Sequence, residues 1–181
     1  GQSYFFKDSV SNLIAKRMPI TLTLGLVGLS LALIISIPLG ILAAVRENTW
    51  IDRTVTLFTM IGQAVPSFWL ALILMIVLGL QLGILPISGT GTWQHFVMPG
   101  IVLAFTAIPA LTRLTRSGMI EAMASDYIRT ARAKGLSRAR IIFKHALRNA
   151  AIPVVSIAAV QLGFMLGGSI VIETIFQING L

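Results

Sequence analysis

The segment "DYIRTARAKGLSRARIIFKHALRN" (residues 126–149) places a dense block of positive charge between two strongly apolar stretches of the chain. Between Arg113 and Arg148 there are nine Lys or Arg residues and two acidic residues, whereas the rest of the chain has five and four. Cytoplasmic loops of membrane proteins are enriched in Lys and Arg. The charge block therefore predicts a cytoplasmic loop, residues 113–152, with membrane spans on both sides.

The composition excludes an ordinary soluble domain. The chain has 181 residues, of which 56% are hydrophobic and 11% charged, and its mean hydropathy is +0.89. Soluble domains carry about 25% charged residues. The sequence has no cysteine, which excludes disulfides, thiol catalysis and cysteine metal sites. Because the chain begins at Gly1 without a methionine and stops directly after an apolar run, we interpret it as a fragment of a longer protein.

Four uncharged apolar segments have the length that a membrane-spanning helix requires. They are residues 19–45, 54–80, 96–112 and 153–172. The predicted fold class is therefore all-α, a polytopic transmembrane helix bundle that forms one domain across residues 1–181. The loop between the second and third spans, 81–95, has no Lys or Arg and is predicted to lie outside. Alternation then places the short charged loop 46–53 inside.

Within the basic loop, local signals predict a helix with a tight ending. Ser125 or Asp126 can cap a helix N-terminus, and cations suit the last turn of a helix. Gly135 fits the position after a helix end at which the backbone turns left-handed. We therefore predict a short helix over residues 126–134, and Ser137 is placed to cap a second helix.

Four residues of this segment recur at helical spacing and all but Ile128 are small, so they would let another backbone approach closely: Ala124, Ile128, Ala131 and Gly135. Three interpretations are open on this pattern. The segment is a solvated loop that only sets the topology, a helix on an anionic lipid surface, or a docking site for a cytoplasmic partner. Nucleic acid is discounted as a partner because Tyr127 and Phe143 are the loop's only aromatic residues. The order of helix, glycine and helix favours docking.

The stretch "YIRTARAKGLSRARIIFKHALRNAAIP" (127–153) resembles the cytoplasmic EAA loop in permease subunits of bacterial ABC importers. It is most similar to the dipeptide, oligopeptide, nickel and glutathione branch, whose loop typically reads Tyr-x-Arg-Thr-Ala-Arg-Ala-Lys-Gly. Of the general family consensus, only Ala131, Gly135 and Leu147 are retained. Further stretches, such as "VPSFWLALIL" and "GGSIVIETIFQINGL", resemble later parts of the same branch in order. The resemblance covers essentially all 181 residues.

The resemblance implies the permease fold of an ABC importer in the bacterial inner membrane, which imports small peptides or peptide-like solutes. A nickel complex is the alternative substrate within the branch. The implied partners are a second permease, two ATP-binding subunits, an extracytoplasmic solute-binding protein and membrane lipid. ATP and magnesium would bind to the ATP-binding subunits, because this sequence has no G-x-x-x-x-G-K-[ST] phosphate loop. The chain is therefore not expected to be an enzyme, and we assign it no catalytic, cofactor or metal residue.

In this family the basic loop forms the coupling helix, so the resemblance implies that residues 126–149 dock on the ATP-binding subunits. The residues that stand at the docking positions are Arg129, Thr130, Ala131, Arg132, Ala133, Lys134 and Gly135.

Three polar residues within or just after the spans are candidates for lining the transport pathway: Gln63, Gln161 and Glu173. The alternatives are interhelical hydrogen bonds for the two glutamines and a hydrated interfacial position for Glu173. Gly163 and Gly167 form a G-x-x-x-G pattern, which indicates close helix packing. A channel or secondary transporter that works without ATP is the competing class. It is disfavoured because the four predicted spans contain no ionisable residue for ion coupling.

Overall fold

A computed structural model describes residues 10–178 and 180, and every regular element in that part of the chain is helical. The α-helices are α1 (Val10–Val45), α2 (Trp50–Ala64), α3 (Ser67–Leu74), α4 (Val97–Ala124), α5 (Asp126–Ala133), α6 (Arg138–Arg140) and α7 (Leu147–Ile175). Wider π-helical turns continue α3 over Met75–Gln81 and join α6 to α7 over Ile141–Ala146, and a 3₁₀ turn, Trp93–Phe96, precedes α4. The parts of the predicted domain at 1–9, 179 and 181 lie outside the described residues.

Three helical stretches are long and apolar enough to cross a membrane, and the number rises to four if α2 and α3 form one broken span. The three are Ile14–Val45, Trp93–Ala124 and Arg138–Ile175. They contain the first, third and fourth predicted spans, which agrees with a chain that crosses the membrane several times.

The second predicted span, 54–80, is not one continuous helix. The helix stops at Ala64 and restarts at Ser67, and the two residues between them, Val65 and Pro66, are extended, with ψ of 120° and 134°. A proline ring clashes with the preceding residue in the α conformation, so that residue moves to an extended one. Hydropathy does not register this effect, because both residues are apolar.

Helices α4 and α7 extend well into the loop predicted over 113–152. Helix α4 continues to Ala124 rather than ending at Thr112. Helix α7 begins at Leu147 and passes through Pro153, the predicted start of the span. A helix is held by backbone hydrogen bonds and does not need apolar side chains to continue. The end of an apolar run therefore marks the edge of a span but not the end of its helix.

The described residues fall into two compact units. One lies within residues 1–31, 66–104 and 162–181, and the other within 32–65 and 105–161. In the first unit, a Cβ placed on Gly28 of α1 would lie 2.8 Å from Leu103 Cβ on α4. Residues without large side chains let helix backbones come this close. Whether the chain forms a single domain stays a prediction.

Candidate functional site

Helix α5 ends in the hydrogen-bonded turn that the sequence predicts at Gly135. The Gly135 N–H donates to the Arg132 carbonyl at 3.0 Å, and the Leu136 N–H donates to the Ala131 carbonyl at 3.3 Å. This pair of bonds is the Schellman ending, which needs a left-handed residue just after the helix. Gly135 has φ of +73°. The predicted position of this glycine at the helix end is confirmed.

Beneath α5 lies an apolar core made by the chain itself. Ile128 is fully buried and Ala131 is 6% exposed, and both belong to one packed cluster. The other buried members of the cluster are Met119, Ala122, Ile141, Ile142, Ala146 and Ala150. The Ala131 methyl group therefore points into the chain's own core, and the docking role of Ala131 stays a prediction. Helical spacing identifies a face, but it does not say which neighbour covers that face.

The outer surface of the loop is strongly cationic. The other predicted docking residues are all exposed, namely Arg129, Thr130, Arg132, Ala133, Lys134 and Gly135. Arg129 forms an ion pair with Asp126 at 3.1 Å, but both side chains are largely in solvent, where such pairs contribute little stability. A positive surface of this kind attracts an acidic partner surface and guides its approach.

An ion pair that the sequence did not reveal ties the start of α2 to α4. Arg116 Nε donates to Asp52 Oδ1 at 2.6 Å, and Arg116 Nη2 donates to Asp52 Oδ2 at 2.7 Å. The Asn48 N–H also donates to Asp52 Oδ2, at 3.0 Å. Asp52 is 5% exposed. Pairing at two points fixes the orientation of both groups. The two residues are 64 positions apart, so no spacing rule links them.

The three candidate pathway residues lie in different surroundings. Gln63 is exposed and lines a cavity of about 190 Å³ between residues of α2 and α4. Gln161 is half-buried on α7, and it is not among the described residues that line this cavity. Glu173 lies near the end of α7 and is 2% exposed. Pathway lining stays a prediction for all three.

The alternative for Glu173, a hydrated interfacial position, is wrong, because the carboxyl group is enclosed. The Thr21 hydroxyl of α1 donates to Glu173 Oε1 at 2.8 Å. Within the described part of the chain, Glu173 Oε2 is buried and has no hydrogen-bond partner. A Cβ on Gly180 would overlap the Glu173 carboxyl group, so the segment after α7 folds back over it. The sequence showed where the apolar run ends, but not which segment covers that end.

No group of three His, Cys, Asp or Glu side chains converges into a metal-binding set among residues 10–178 and 180. The binding of ATP and magnesium by separate subunits, expected from the sequence, stays a prediction.

Three features of the described residues bear on function: the cationic α5, the Asp52–Arg116 pair and the cavity beside it.

Comparison with known protein families identifies the kind of protein that carries these features. Residues 36–181 match the family described as binding-protein-dependent transport system inner membrane component. The chain belongs to this family. The match includes the whole basic loop, so the resemblance stated from the sequence is confirmed. The chain is thus an inner-membrane component of a binding-protein-dependent transport system, and its several apolar helices agree with a multi-pass location in that membrane.

Two curated relatives are similar to this inner-membrane component along nearly all of its length. It is 46% identical over 182 residues to the oligopeptide transport system permease protein AppB of Bacillus subtilis (strain 168), a match that covers 95% of the chain and 58% of the relative. It is 40% identical over 181 residues to the glutathione transport system permease protein GsiC of Escherichia coli (strain K12), which covers 100% of the chain and 59% of the relative. The component thus spans just under three fifths of the length of these relatives.

A solved structure shares the fold of this inner-membrane component. It is described as the crystal structure of an amino acid ABC transporter with histidines, and it superposes with a TM-score of 0.65. The match covers 91% of the chain described here and 72% of the other chain, at 16% sequence identity. At that identity the likeness shows the fold alone. It confirms the all-α, polytopic helix-bundle fold predicted from the sequence.

Proposed function

We propose that this inner-membrane component is the permease subunit of an ATP-driven importer of small peptides or peptide-like solutes, with a nickel complex as the alternative substrate. The observation that carries the proposal is the exposed, basic helix α5 on a packed apolar core. The relatives named as oligopeptide and glutathione permeases support the substrate class. Because the 181 residues contain no phosphate loop, energy from ATP enters through partner subunits, and α5 offers the surface on which they dock.

Helix α5 is built to transmit a displacement from its outer face to the membrane helices. Its inner residues, Ile128 and Ala131, belong to one packed cluster that also contains Met119 of α4, Ala146 just before α7 and Ala150 in the first turn of α7. Packed protein interiors are poorly compressible. When the ATP-binding subunits close and displace α5, α4 and the first turn of α7 therefore move with it. ATP hydrolysis itself takes place in those subunits.

A second permease subunit and lipid together would cover the apolar surface of α7. Large side chains on this helix remain exposed, including Ile152, Val155, Phe164, Ile170 and Val171. Apolar surface of this extent belongs in lipid or in a protein interface. A Cβ on Gly163 or Gly167 would meet no described atom within 4 Å, so another helix can approach closely there. An extracytoplasmic binding protein completes the proposed assembly by delivering the solute.

The proposed function, an ATP-driven importer of small peptides, predicts peptide uptake that depends on ATP. The full-length permease is co-expressed with its partner subunits in a strain that lacks its own peptide and glutathione importers. We expect accumulation of a labelled tripeptide or of glutathione, and loss of that accumulation when the phosphate-loop lysine of the ATP-binding subunits is replaced. Uptake that persists in this control would indicate a channel or a secondary transporter. Uptake of nickel without uptake of either peptide would favour the alternative substrate.

The docking role of α5 predicts sensitivity to backbone conformation at Gly135. A Gly135→Val change places a β-branched residue at φ of +73°, and a left-handed residue with a Cβ costs about 1–2 kcal/mol. We expect about a tenfold weaker association with the ATP-binding subunits and a matching loss of substrate-stimulated ATPase activity. Co-purification at graded subunit concentrations measures the first effect.

The matched control is Gly135→Asn, because asparagine tolerates the left-handed region far better than valine. No described atom lies within 4 Å of a Cβ at Gly135, so neither side chain meets a steric obstacle within the chain. We expect Gly135→Asn to retain most of the association. Equal association of the two variants, whether high or low, would contradict a role for the turn conformation in docking.

A further inference from the structure

The cavity beside the Asp52–Arg116 pair has the features of a binding site. Its volume is about 190 Å³, and all its lining residues come from α2 and α4 within one compact unit. Those residues are Val55, Thr56, Thr59, Met60, Gln63, Pro109, Thr112, Arg113 and Arg116. This volume is more than one carboxylate group needs, so the cavity can hold the polar end of a larger solute.

The cavity carries one uncompensated positive charge. The Arg116 guanidinium is neutralised by Asp52 through two hydrogen bonds. Arg113 also lines the cavity and is exposed, and it forms no ion pair with any acid in the described part of the chain. A guanidinium presents several N–H donors in a fixed plane that matches the two oxygens of a carboxylate. The charge and its geometry both favour an anionic ligand group.

The hydroxyl of Thr112 lies within the wall of the cavity and not at its surface. Thr112 is 2% exposed and lines the cavity, but its Oγ1 is itself buried and has no hydrogen-bond partner among the described residues. A ligand in the cavity therefore does not reach this hydroxyl. The case for an anionic ligand rests on the charge of Arg113.

We propose that this cavity is a subsite for the carboxylate of the transported solute, in which Arg113 pairs with the carboxylate. The subsite rests on the proposed function, the import of peptide-like solutes. It adds the requirement that the solute carries a free carboxylate. Helix α4 continues from this cavity to Met119, which packs in the core under α5. A carboxylate held here therefore contacts α4, the same helix that is proposed to move when α5 is displaced.

The test compares a tripeptide that has a free C-terminal carboxylate with the same peptide as its C-terminal amide. Uptake kinetics are measured for the full-length permease, assembled with its partner subunits in proteoliposomes. The parent transporter is expected to show a lower KM for the acid than for the amide. Arg113→Gln should raise KM for the acid about tenfold, as expected for the loss of a charge-assisted hydrogen bond, and should leave the KM for the amide and both kcat values nearly unchanged.

Further variants separate the subsite from general effects of charge. Arg113→Lys keeps the charge but loses the planar donor pair, so its KM for the acid should be intermediate. Arg53→Gln is the matched control, because Arg53 is an exposed cation on α2 that does not line the cavity. This variant should discriminate between the two peptides as the parent does.

Two kinetic results would overturn the subsite while leaving peptide import intact. One is equal KM for acid and amide in the parent transporter. The other is an equal loss of uptake for both peptides in Arg113→Gln. If the parent imports neither peptide, the proposed function fails, and a binding measurement then decides on the cavity alone.

That measurement uses a Thr56→Cys variant, in which the new thiol lines the cavity. The acid peptide should slow its labelling by a thiol reagent while the amide does not, and Arg113→Gln should abolish the protection. Equal labelling with both peptides would overturn the subsite. Slower labelling in phosphatidylglycerol vesicles than in phosphatidylcholine vesicles, without protection by the peptide, would show that the cavity holds a lipid headgroup and would also overturn it.

Discussion

A Gly40→Val variant is expected to lose about 3 kcal/mol or more of unfolding free energy, at the upper end of the usual cost of overpacking. A Cβ on Gly40 of α1 would lie 2.5 Å from Thr115 Cβ and 2.9 Å from the Thr112 carbonyl oxygen of α4. Neither neighbour is the far end of a flexible side chain. Helices α1 and α4 would therefore have to separate, and the packing contacts between them would be lost.

The loss is measured as the shift in the unfolding midpoint of the purified permease in detergent micelles. Gly168→Val is the matched control, because it introduces the same side chain on a long apolar helix where a Cβ meets no described atom within 4 Å. We expect the control to unfold close to the parent protein. Equal midpoints for Gly40→Val and Gly168→Val would show that α1 and α4 do not approach as closely as described.

An Asp52→Asn variant is expected to lose about 2–3 kcal/mol, somewhat below the roughly 3–5 kcal/mol of a fully enclosed charged pair, because Arg116 is partly exposed. The amide keeps the size of the carboxylate but removes the negative charge. Arg116 is then left with a positive charge in a partly buried position, and the Asn48 N–H keeps only a weaker acceptor. The same unfolding measurement in detergent gives the effect.

A double-mutant cycle with Arg116→Gln isolates the interaction between the two side chains. The double variant should lose clearly less than the sum of the two single losses. Asp126→Asn is the control, since Asp126 pairs with Arg129 in a largely solvent-exposed setting where ion pairs contribute little. An Asp52→Asn loss as small as that of Asp126→Asn would contradict a structural role for the buried pair.

Local chemistry was sufficient to predict helix α5 and its ending. The predicted helix over 126–134 corresponds to α5, Asp126–Ala133, followed by Gly135 in the left-handed region. Charge in the last turn and a C-terminal glycine act over a few residues. Such signals can therefore be recognised from neighbouring residues in the sequence. The expected caps are not formed by side chains, because the Ser125 hydroxyl donates to the Ala122 carbonyl instead and Ser137 makes no capping bond. The proline that divides α2 from α3 acts over an equally short range, and the sequence could have shown it if backbone sterics had been weighed against hydropathy.

The glycines show the opposite case. The G-x-x-x-G pattern of Gly163 and Gly167 indicated close packing, but both positions are open within the described chain. The close approaches occur instead at glycines without such a pattern, for example Gly28 and Gly40. A small residue permits a close contact, but it does not create one. The contact depends on which helix lies opposite.

By itself, the sequence determined the membrane class, the family and the conformation of α5. It also predicted a cytoplasmic position for the basic loop. Composition and short-range signals are sufficient for these properties. Only the tertiary structure decided that Ala131 faces inward, that Asp52 pairs with Arg116, that Glu173 is enclosed and that Thr112 lines a cavity with its hydroxyl unpartnered. Each of these depends on residues far apart in the chain. Their meeting is set by the packing of whole helix faces, to which many side chains contribute together.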